Sequence, residues 1–480
     1  MLFRANCARI FAKVITMTQT ILKSPKQKTD RNQLELLPSS KETLPSNGHS
    51  AFNDPAFASN KTVPIHRWVP WIAGFSSDFV QGVMRDFFAH KKKGVVLDPF
   101  AGVGTTLIEA VLSGHNALGF EINPYAALAC KVKLESHQVD LDEFAHAIKA
   151  FDSFYKHCVG NGYIPKTKPP EKFRTQVEFY SPKVLRKVLV INDFIADIKT
   201  ESIRDLFRIA FAATMVQYSN YSYEPSLGKR VSSGKAEIED YPVETAIAAK
   251  LINMFEDIKW IKEKLPSKAV KFKIYSNSFL KRNESVKAES VDLIITSPPY
   301  LNNYHYSRNT RPQLYWLDIF KERNDLRIME EYSFGKFWQT VRDQEAIDLE
   351  FKLKDRSLER TLNQLRHTNT EKGVYGGHGW ANYAATYFND CHKFALRIKS
   401  VLRRGGKAFV VLGNSIIQGI PIATDKYFGE ICENAGLKLD QIDIPRLTRN
   451  GNSIINSSVR SANAGKSARL YEAIVVVSKR

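Results

Sequence analysis

The chain has 480 residues, of which 43% are hydrophobic and 11% aromatic, so it can bury a large core spread over two or three structural units. Its 69 lysines and arginines exceed its 50 aspartates and glutamates, giving a formal net charge of +19. A surface with this excess of positive charge attracts polyanions, and nucleic acid is the obvious candidate. A basic balance also aids solubility, so charge alone does not decide between the two interpretations.

Cysteine usage and hydropathy exclude several classes of protein. Five cysteines are scattered along the chain without a Cys-x-x-Cys pair or a nearby histidine cluster, which predicts neither a metal site nor a disulfide framework. No apolar run approaches the roughly 18 to 20 residues that cross a bilayer, and the first residues do not resemble a secretory signal. We therefore predict a cytoplasmic protein that does not enter a membrane.

In chain order, the first region is a polar and basic segment at residues 1–60. It has too little periodic apolar content to repay the entropy of ordering, so we predict a disordered tail. Short β-branched runs then alternate with helical stretches, and two closing runs are joined by a polar loop. The first group comprises 95–97, 117–120, 272–275, 291–295 and 408–412, and the closing pair comprises 439–444 and 473–477. This pattern predicts an α/β fold with a mostly parallel sheet and a C-terminal antiparallel hairpin at one edge.

Two segments interrupt the alternation of strands and helices. Residues 136–270 carry apolar side chains at helical spacing, as in Val184, Val188, Ile191 and Ile195, which predicts a helical insertion. Residues 321–375 are dense in both signs of charge, with a weaker helical pattern. We interpret the second segment as a charged helical insertion.

A glycine-containing turn connects the first predicted strand to a helix. The turn reads Asp98, Pro99, Phe100, Ala101, Gly102, Val103, Gly104, Thr105 and Thr106. Such a turn exposes backbone N–H groups and lets a ligand approach the main chain. The third glycine of a pyrophosphate-binding turn is absent, which disfavours NAD and FAD.

An acidic residue, Glu121, follows the second predicted strand. At that position its carboxylate can accept hydrogen bonds from two ribose hydroxyls. The alternative is a surface glutamate at a strand end. Together with the glycine turn, Glu121 indicates a nucleoside-containing cofactor.

The glycine turn resembles the cofactor motif of S-adenosylmethionine-dependent DNA amino-methyltransferases, in the form Asp-Pro-Phe-x-Gly-x-Gly-Thr-Thr. The resemblance implies a Rossmann-like methyltransferase sheet and S-adenosyl-L-methionine as cofactor. It assigns cofactor binding to Asp98, Pro99, Phe100, Ala101, Gly102, Gly104, Thr105, Thr106, Glu121 and Asn277. Asn277 stands near the position where the family usually has an aspartate that binds the adenine amino group, and so departs from the pattern.

The fourth predicted strand runs into a proline-stiffened turn, Ser297-Pro298-Pro299-Tyr300. Two consecutive prolines fix φ and leave their carbonyls without local donors, so the Ser297 hydroxyl and the Pro298 carbonyl can accept from an exocyclic amine. Tyr300 would stack on the base. A stiff loop after a strand is the alternative interpretation.

This turn resembles the catalytic motif of amino-methyltransferases, in the serine form that is more typical of N4-cytosine enzymes than of N6-adenine enzymes. The resemblance covers residues 61–135 and 271–480, and it includes the aromatic run around Trp68 and Trp71 that precedes the glycine turn. It implies a flipped base in double-stranded DNA, association with the nucleoid, and a possible cognate restriction or defence partner.

The glycine turn precedes the catalytic turn, whereas many enzymes with these motif spellings have the reverse order. Target recognition usually lies in a variable insertion, which here is 136–270, 321–375 or both. Aromatic and basic side chains near the catalytic turn and in two loops are candidates for contacting DNA. They are Tyr304, Tyr306, Arg308, Lys229, Arg230, Arg449 and Arg460.

Two other functions fit parts of the sequence. Some RNA guanine-N2 methyltransferases pair similar motifs in this order, but they usually carry Asp or Asn before the prolines and an N-terminal RNA-binding domain. A catalytically silent DNA-binding protein of the same fold is the second alternative, and the intact Ser-Pro-Pro-Tyr argues against it.

Overall fold

A computed structural model describes residues 60–71, 74–90, 93–223, 226–266, 270–281, 286–301, 306–446 and 470–480. The predicted tail, apart from its last residue, lies outside this part of the chain. Tyr304, Arg449 and Arg460 lie outside it too, as does the side chain of Tyr306. Asn60, the last residue of the predicted tail, is ordered and packed against the rest of the protein. Its side-chain amide donates to the Phe75 carbonyl, and its side-chain oxygen accepts from the Ser77 N–H.

A seven-stranded sheet organises the described residues. Its strands are β1 Val95–Asp98, β2 Asn116–Phe120, β5 Phe272–Tyr275, β6 Val291–Thr296, β7 Leu402–Gly413, β10 Lys438–Arg446 and β11 Glu472–Ser478. Their order across the sheet is β5-β2-β1-β6-β7-β11-β10. The first five pair in parallel, whereas β11 is antiparallel to both β7 and β10. This confirms the expected α/β fold with a Rossmann-like sheet and a C-terminal antiparallel hairpin.

The strands are apolar because helices cover both faces of the sheet. Along β6, Leu293 and Ile295 belong to one hydrophobic core, while Ile294 belongs to the core on the other face. Along β1, Val96 and Leu97 divide in the same way. The strand order reverses at β1, because β2 and β5 lie on one side of it and the later strands β6 and β7 lie on the other. The carboxyl ends of β1, β2 and β6 therefore meet where open α/β sheets bind ligands.

Helices of the sheet region cover these two faces. They are α1 Ser77–Phe87, α2 Thr105–Leu112, α3 Pro124–Glu135, α8 Tyr306–Asn309, α9 Arg311–Trp316, α13 Gly377–Val401 and α14 Thr424–Asn434. A small separate hairpin is formed by β8 Ser415–Ile417 and β9 Ile420–Ile422. Across the described part of the chain, no helix combines the length and apolarity that a membrane span requires.

The region 136–270 is helical as predicted, with one short hairpin. It contains α4 Leu141–Gly160, α5 Pro182–Asp197, α6 Glu201–Thr214 and α7 Val243–Lys264, with strands β3 Tyr221–Tyr223 and β4 Leu227–Lys229. The four residues that predicted a helix in this region are buried on α5. These helices contribute to the same core as α1, α2 and one face of the sheet, so the insertion and the sheet share one hydrophobic core.

The region 321–375 consists of short helices, of which the first packs on the core shared with the helical insertion and the later ones contribute to the core on the opposite face. They are α10 Arg323–Glu331, α11 Trp338–Val341, α12 Ser357–Arg366 and a 3-10 segment, Thr370–Tyr375. Leu358, Leu362 and Leu365 join the core around α13, while the charged side chains face outward. The sparse apolar positions therefore suffice to anchor a segment that is mostly polar.

Candidate functional site

The glycine turn depends on two left-handed residues. Gly102 and Gly104 have φ of +51° and +91°, a region that side chains other than glycine rarely adopt. A Cβ on Gly104 would lie 2.6 Å from the Cys130 sulfur on α3. The turn is fastened to β2 by the Ala101 N–H, which donates to the Phe120 carbonyl at 2.9 Å. The local fold therefore requires glycine at position 104.

Glu121 holds the glycine turn against the end of β2. One carboxylate oxygen accepts the Gly102 N–H at 2.8 Å, and the other accepts the Asn123 N–H at 2.7 Å. Burial raises the pKa of this carboxyl to about 7, and these backbone N–H groups act in the opposite direction. Each oxygen keeps a lone pair that a ligand hydroxyl can use.

Glu121 and Ser297 line the same pocket. Gly102, Pro99 and Phe100 from the glycine turn also reach it, and Phe120, Phe279 and Ile122 supply an apolar lining. The ends of β1, β2 and β6 therefore open onto one space. This is the arrangement in which a cofactor and a second molecule can meet.

The Ser297–Tyr300 turn is hydrogen-bonded to two strands, β7 and β11. The Ser297 hydroxyl donates to the Val411 carbonyl at 3.2 Å and lies 3.5 Å from the Tyr300 hydroxyl, which donates to Glu472 at 3.3 Å. Because the Ser297 hydroxyl donates its hydrogen bond to the Val411 carbonyl, the lone pairs of the serine oxygen remain available to accept hydrogen bonds from a molecule in the pocket.

The prolines of this turn differ in position. Pro299 lines the pocket together with Ser297, whereas Pro298 is buried. Tyr300 is half-buried and stands outside the set of residues that line the pocket.

Several residues assigned to cofactor binding instead lie behind the turn. Asp98 accepts the Phe100 N–H at 3.0 Å and the Thr296 hydroxyl at 2.6 Å, while Thr106 donates to the Ile295 carbonyl at 3.2 Å. Burial raises the pKa of Asp98 to about 6. These side chains tie β1 and α2 to β6. They position the turn without lining the pocket, as do the buried residues Ala101, Gly104 and Thr105.

Asn277 is likewise absent from the pocket lining, whereas the next two residues, Ser278 and Phe279, are part of it. The Asn277 side-chain oxygen is buried and has no hydrogen-bond partner among the described residues.

The charged insertion supplies a wall of the pocket that the sequence did not indicate. Met329, Tyr332, Ser333, Phe334, Gly335 and Phe337 line the side opposite the strand ends. Phe334 packs edge-on against Phe100 of the glycine turn, with ring centroids 5.2 Å apart. In the sequence, the feature that could have indicated this wall is a short run of apolar and aromatic residues within an otherwise charged segment.

The aromatic segment before the glycine turn also reaches the site. Trp71 lines the pocket, and its indole nitrogen would be 3.1 Å from a Cβ on Gly102. Asp257 of α7 anchors this segment by accepting from the Ile65 N–H, the Arg67 guanidinium and the Trp68 indole. The helical insertion thus positions an aromatic wall of the pocket.

Three of the candidate DNA contacts, Arg308, Lys229 and Arg230, have described side chains. Arg308 is exposed on α8, next to Ser307, which lines the pocket. Lys229 lies on the β3–β4 hairpin, and Arg230 follows it and donates to the Ala236 carbonyl. The hairpin is bound to α8, because Tyr223 donates to the Asn309 carbonyl and the Leu227 N–H donates to the Asn309 side chain.

Comparison with known proteins relates this chain to DNA methyltransferases. A family model described as DNA methylase, for N6 and N4 enzymes, matches residues 88–131. The chain is 24% identical to "Type II methyltransferase M.BsoBI" of Geobacillus stearothermophilus, over 80% of each chain. It is 25% identical to M.AvaI of Nostoc sp., over 81% of this chain and 82% of the relative. It is 22% identical to M.MvaI of Kocuria varians, over 70% and 73%.

Among solved structures, an rRNA methyltransferase from Streptomyces viridochromogenes matches with 9% identity and a TM-score of 0.27, over 85% of this chain and 87% of that one. The assignment of the fold accordingly depends on the strand order of the sheet itself. The family match and the Type II relatives support the resemblance to DNA amino-methyltransferases that the motifs indicate.

Proposed function

We propose that this protein is a site-specific DNA methyltransferase that transfers a methyl group from S-adenosyl-L-methionine to the exocyclic amine of a flipped base. The observation that carries the proposal is the single pocket shared by Glu121 and Ser297. A nucleoside-binding carboxylate and an amine-accepting hydroxyl at adjacent strand ends bring donor and acceptor together, which is the main requirement of this reaction.

The pocket fits S-adenosyl-L-methionine. Gly102 presents backbone without a side chain, Glu121 offers a lone pair on each oxygen to ribose hydroxyls, and Phe279 gives an apolar surface. Trp71 and the wall at 329–337 bound the same space. When bound, the cofactor supplies an electrophilic methyl group on a sulfonium.

The chain's own residues would orient the amine. Ser297 and the Pro298 carbonyl would accept hydrogen bonds from its two N–H groups, which directs the nitrogen lone pair away from the ring plane and toward the donor. Tyr300 would stack on the base, a role that comes from the motif resemblance, since Tyr300 itself does not line the pocket. No strong base is needed before the attack, because placement and electrostatics provide most of the acceleration. The base must leave the helix to reach this turn.

N4 of cytosine is the preferred acceptor over N6 of adenine, on the basis of the serine before the two prolines. Double-stranded DNA is the substrate, supported by the net charge of +19 and by the Type II relatives. In this proposal the protein acts in the cytoplasm at the nucleoid. We also propose a cognate restriction or defence partner that recognises the same DNA sequence.

Transfer of tritium-labelled methyl groups tests the proposal directly. The purified protein is incubated with labelled S-adenosylmethionine and either unmethylated genomic duplex DNA or tRNA, with the Ser297→Ala variant as control. We expect label on DNA only, strongly reduced in the variant, and N4-methylcytosine after digestion to nucleosides. N6-methyladenine would correct the acceptor base. Label confined to tRNA would instead support an RNA enzyme, and no label at all would support a silent DNA-binding protein.

A further inference from the structure

A second pocket lies on the other side of Trp71 from the cofactor pocket. It is enclosed by the segment before the glycine turn, by α6 and α7 of the helical insertion, and by the end of α8. Lys61, Arg67 and Lys250 line it, and among the described residues neither an aspartate nor a glutamate does. We call this cavity the basic pocket. Its chemistry suits an anion, whereas the cofactor pocket carries the Glu121 carboxylate.

Of the cationic groups that line the basic pocket, Arg67 has a carboxylate partner, whereas Lys250 is bonded to a neutral carbonyl. The Arg67 guanidinium forms an ion pair with Asp257 at 2.5 Å, while the Lys250 ammonium donates to the Arg67 carbonyl at 3.2 Å. Burial lowers the pKa of Lys250, and neighbouring Arg67 lowers it further. A bound anion would stabilise the charged form of Lys250 and reverse this effect.

An unused hydrogen-bond donor supplies the independent observation. Asn309 lines the basic pocket and is 6% exposed. Its side-chain oxygen accepts the Leu227 N–H at 2.9 Å, which leaves the amide NH₂ as the donor end of the group. That NH₂ has no hydrogen-bond partner among the described residues. A buried donor without a partner destabilises the fold, so an acceptor from a ligand would remove a penalty that is already present.

We infer that the basic pocket binds a backbone phosphate of the DNA strand that carries the methylated base. This inference rests on the proposed function. Phosphate oxygens are acceptors that match an ammonium and an amide donor together. Ser307 and Asn309 lie on the same short helix, with Ser307 facing the cofactor pocket and Asn309 the basic pocket. A phosphate at Asn309 would therefore belong to a nucleotide close to the flipped one.

Two substitutions separate this role from the folding of the site. Asn309→Asp keeps the oxygen that accepts from Leu227 but replaces the donor with an oxygen that repels phosphate. Lys250→Gln removes one cation. Lys262→Gln, at an exposed lysine on the same helix, is the matched control. Binding of a short duplex of random sequence is titrated at several salt concentrations, and cofactor binding is measured by calorimetry.

We expect Lys250→Gln to weaken DNA binding about tenfold and to reduce the slope of log affinity against log salt by about 1, because one phosphate contact is lost. Asn309→Asp should weaken DNA binding at least as much. The control should bind DNA like the wild type, and all three variants should bind cofactor normally. Unchanged DNA affinity and salt slope in both pocket variants would overturn the inference, even if the wild type methylates DNA.

Two further measurements distinguish the source of the phosphate from the proposed function: binding of inorganic phosphate and transfer of methyl groups. If inorganic phosphate binds in a Lys250-dependent way while duplex binding is unaffected by the substitutions, the pocket serves a small anion and the inference is wrong. If the wild type binds duplex DNA through Lys250 and Asn309 but transfers no methyl group, the phosphate site stands and the proposed function fails.

Discussion

Glu121 accepts the backbone N–H of Gly102 across 2.8 Å, which connects the end of β2 to the glycine turn after β1. Because burial raises the pKa of Glu121 to about 7, the carboxyl changes charge close to neutral pH. Only the ionised form accepts hydrogen bonds from two ribose hydroxyls with both oxygens. We expect the affinity for S-adenosylmethionine to fall as the pH drops below about 7, approaching tenfold per pH unit.

Calorimetric titration with the cofactor at pH 6 and pH 8 measures this effect. Glu121→Gln should bind the cofactor weakly at both pH values and lose the dependence, whereas Glu171→Gln, at an exposed glutamate, should retain it. A wild-type affinity that is constant between pH 6 and pH 8 would contradict the role of the Glu121 carboxylate.

Asp98 leads to a prediction about stability. This carboxyl is 1% exposed, and burial raises its pKa from 3.8 to about 6. The unfolded chain therefore releases this proton at a lower pH than the folded protein, and the carboxyl destabilises the fold increasingly between pH 4 and pH 6. Asp98→Asn keeps the oxygen that accepts from Phe100 and Thr296. We expect it to be more stable than the wild type above pH 6, by up to about 3 kcal/mol, with the difference vanishing below pH 4.

Denaturant unfolding across this pH range provides the measurement. Asp98→Ala serves as the comparison, because it leaves the Phe100 N–H and the Thr296 hydroxyl unpaired. Neither variant has a titrating group at position 98, so Asp98→Ala should be less stable than Asp98→Asn by about 1–3 kcal/mol per unpaired group at every pH. A stability difference between Asp98→Asn and wild type that does not change with pH would show that Asp98 is not a buried titrating group.

The sequence predicted those pocket residues that directly follow a strand of the sheet. Gly102, Glu121 and Ser297 each follow a strand, and the alternation of strands and helices placed those strands side by side in one sheet. Motif membership did not predict which side chains face the ligand. Asp98 and Thr106 belong to the same motif as Gly102, yet their polar groups are used by β6, because buried polar atoms at a strand end need partners within the protein.

The wall at 329–337 and the unpaired amide of Asn309 could not be predicted in this way. Both depend on contacts between segments far apart in the sequence, such as Phe334 with Phe100 and Asn309 with Leu227. Neither contact leaves a periodic pattern, so charge density dominated the interpretation of 321–375. The helical pattern of the first insertion was clear because α5 and α6 each bury a complete face.

A substitution at Gly335 tests whether the wall at 329–337 contributes to cofactor binding. Gly335 has φ of +63°, its N–H donates to Asp390 at 2.9 Å, and a Cβ there would lie 3.0 Å from the Tyr387 ring. Gly335→Ala should displace the wall and lower cofactor affinity several-fold. Gly162→Ala is the matched control, since Gly162 has φ of +66° and open space around its Cβ position. Equal cofactor affinity in both variants would show that the wall does not contact the cofactor.

Tyr300 separates the effect of an aromatic ring from that of a hydroxyl. The hydroxyl donates to Glu472 at 3.3 Å, while the ring is the surface on which the proposed base would stack. We expect Tyr300→Phe to keep most of the turnover. Tyr300→Ala should lower it roughly tenfold to a hundredfold, because base stacking on an aromatic side chain contributes about 1–3 kcal/mol.

Single-turnover methyl transfer and calorimetric cofactor binding are measured for Tyr300→Phe, Tyr300→Ala and Glu472→Gln. Cofactor affinity should remain close to that of the wild type in all three, because neither Tyr300 nor Glu472 lines the cofactor pocket. If Tyr300→Phe and Glu472→Gln lost as much turnover as Tyr300→Ala, the hydroxyl contact with β11 would be the essential feature, and stacking of a flipped base on Tyr300 would have to be abandoned.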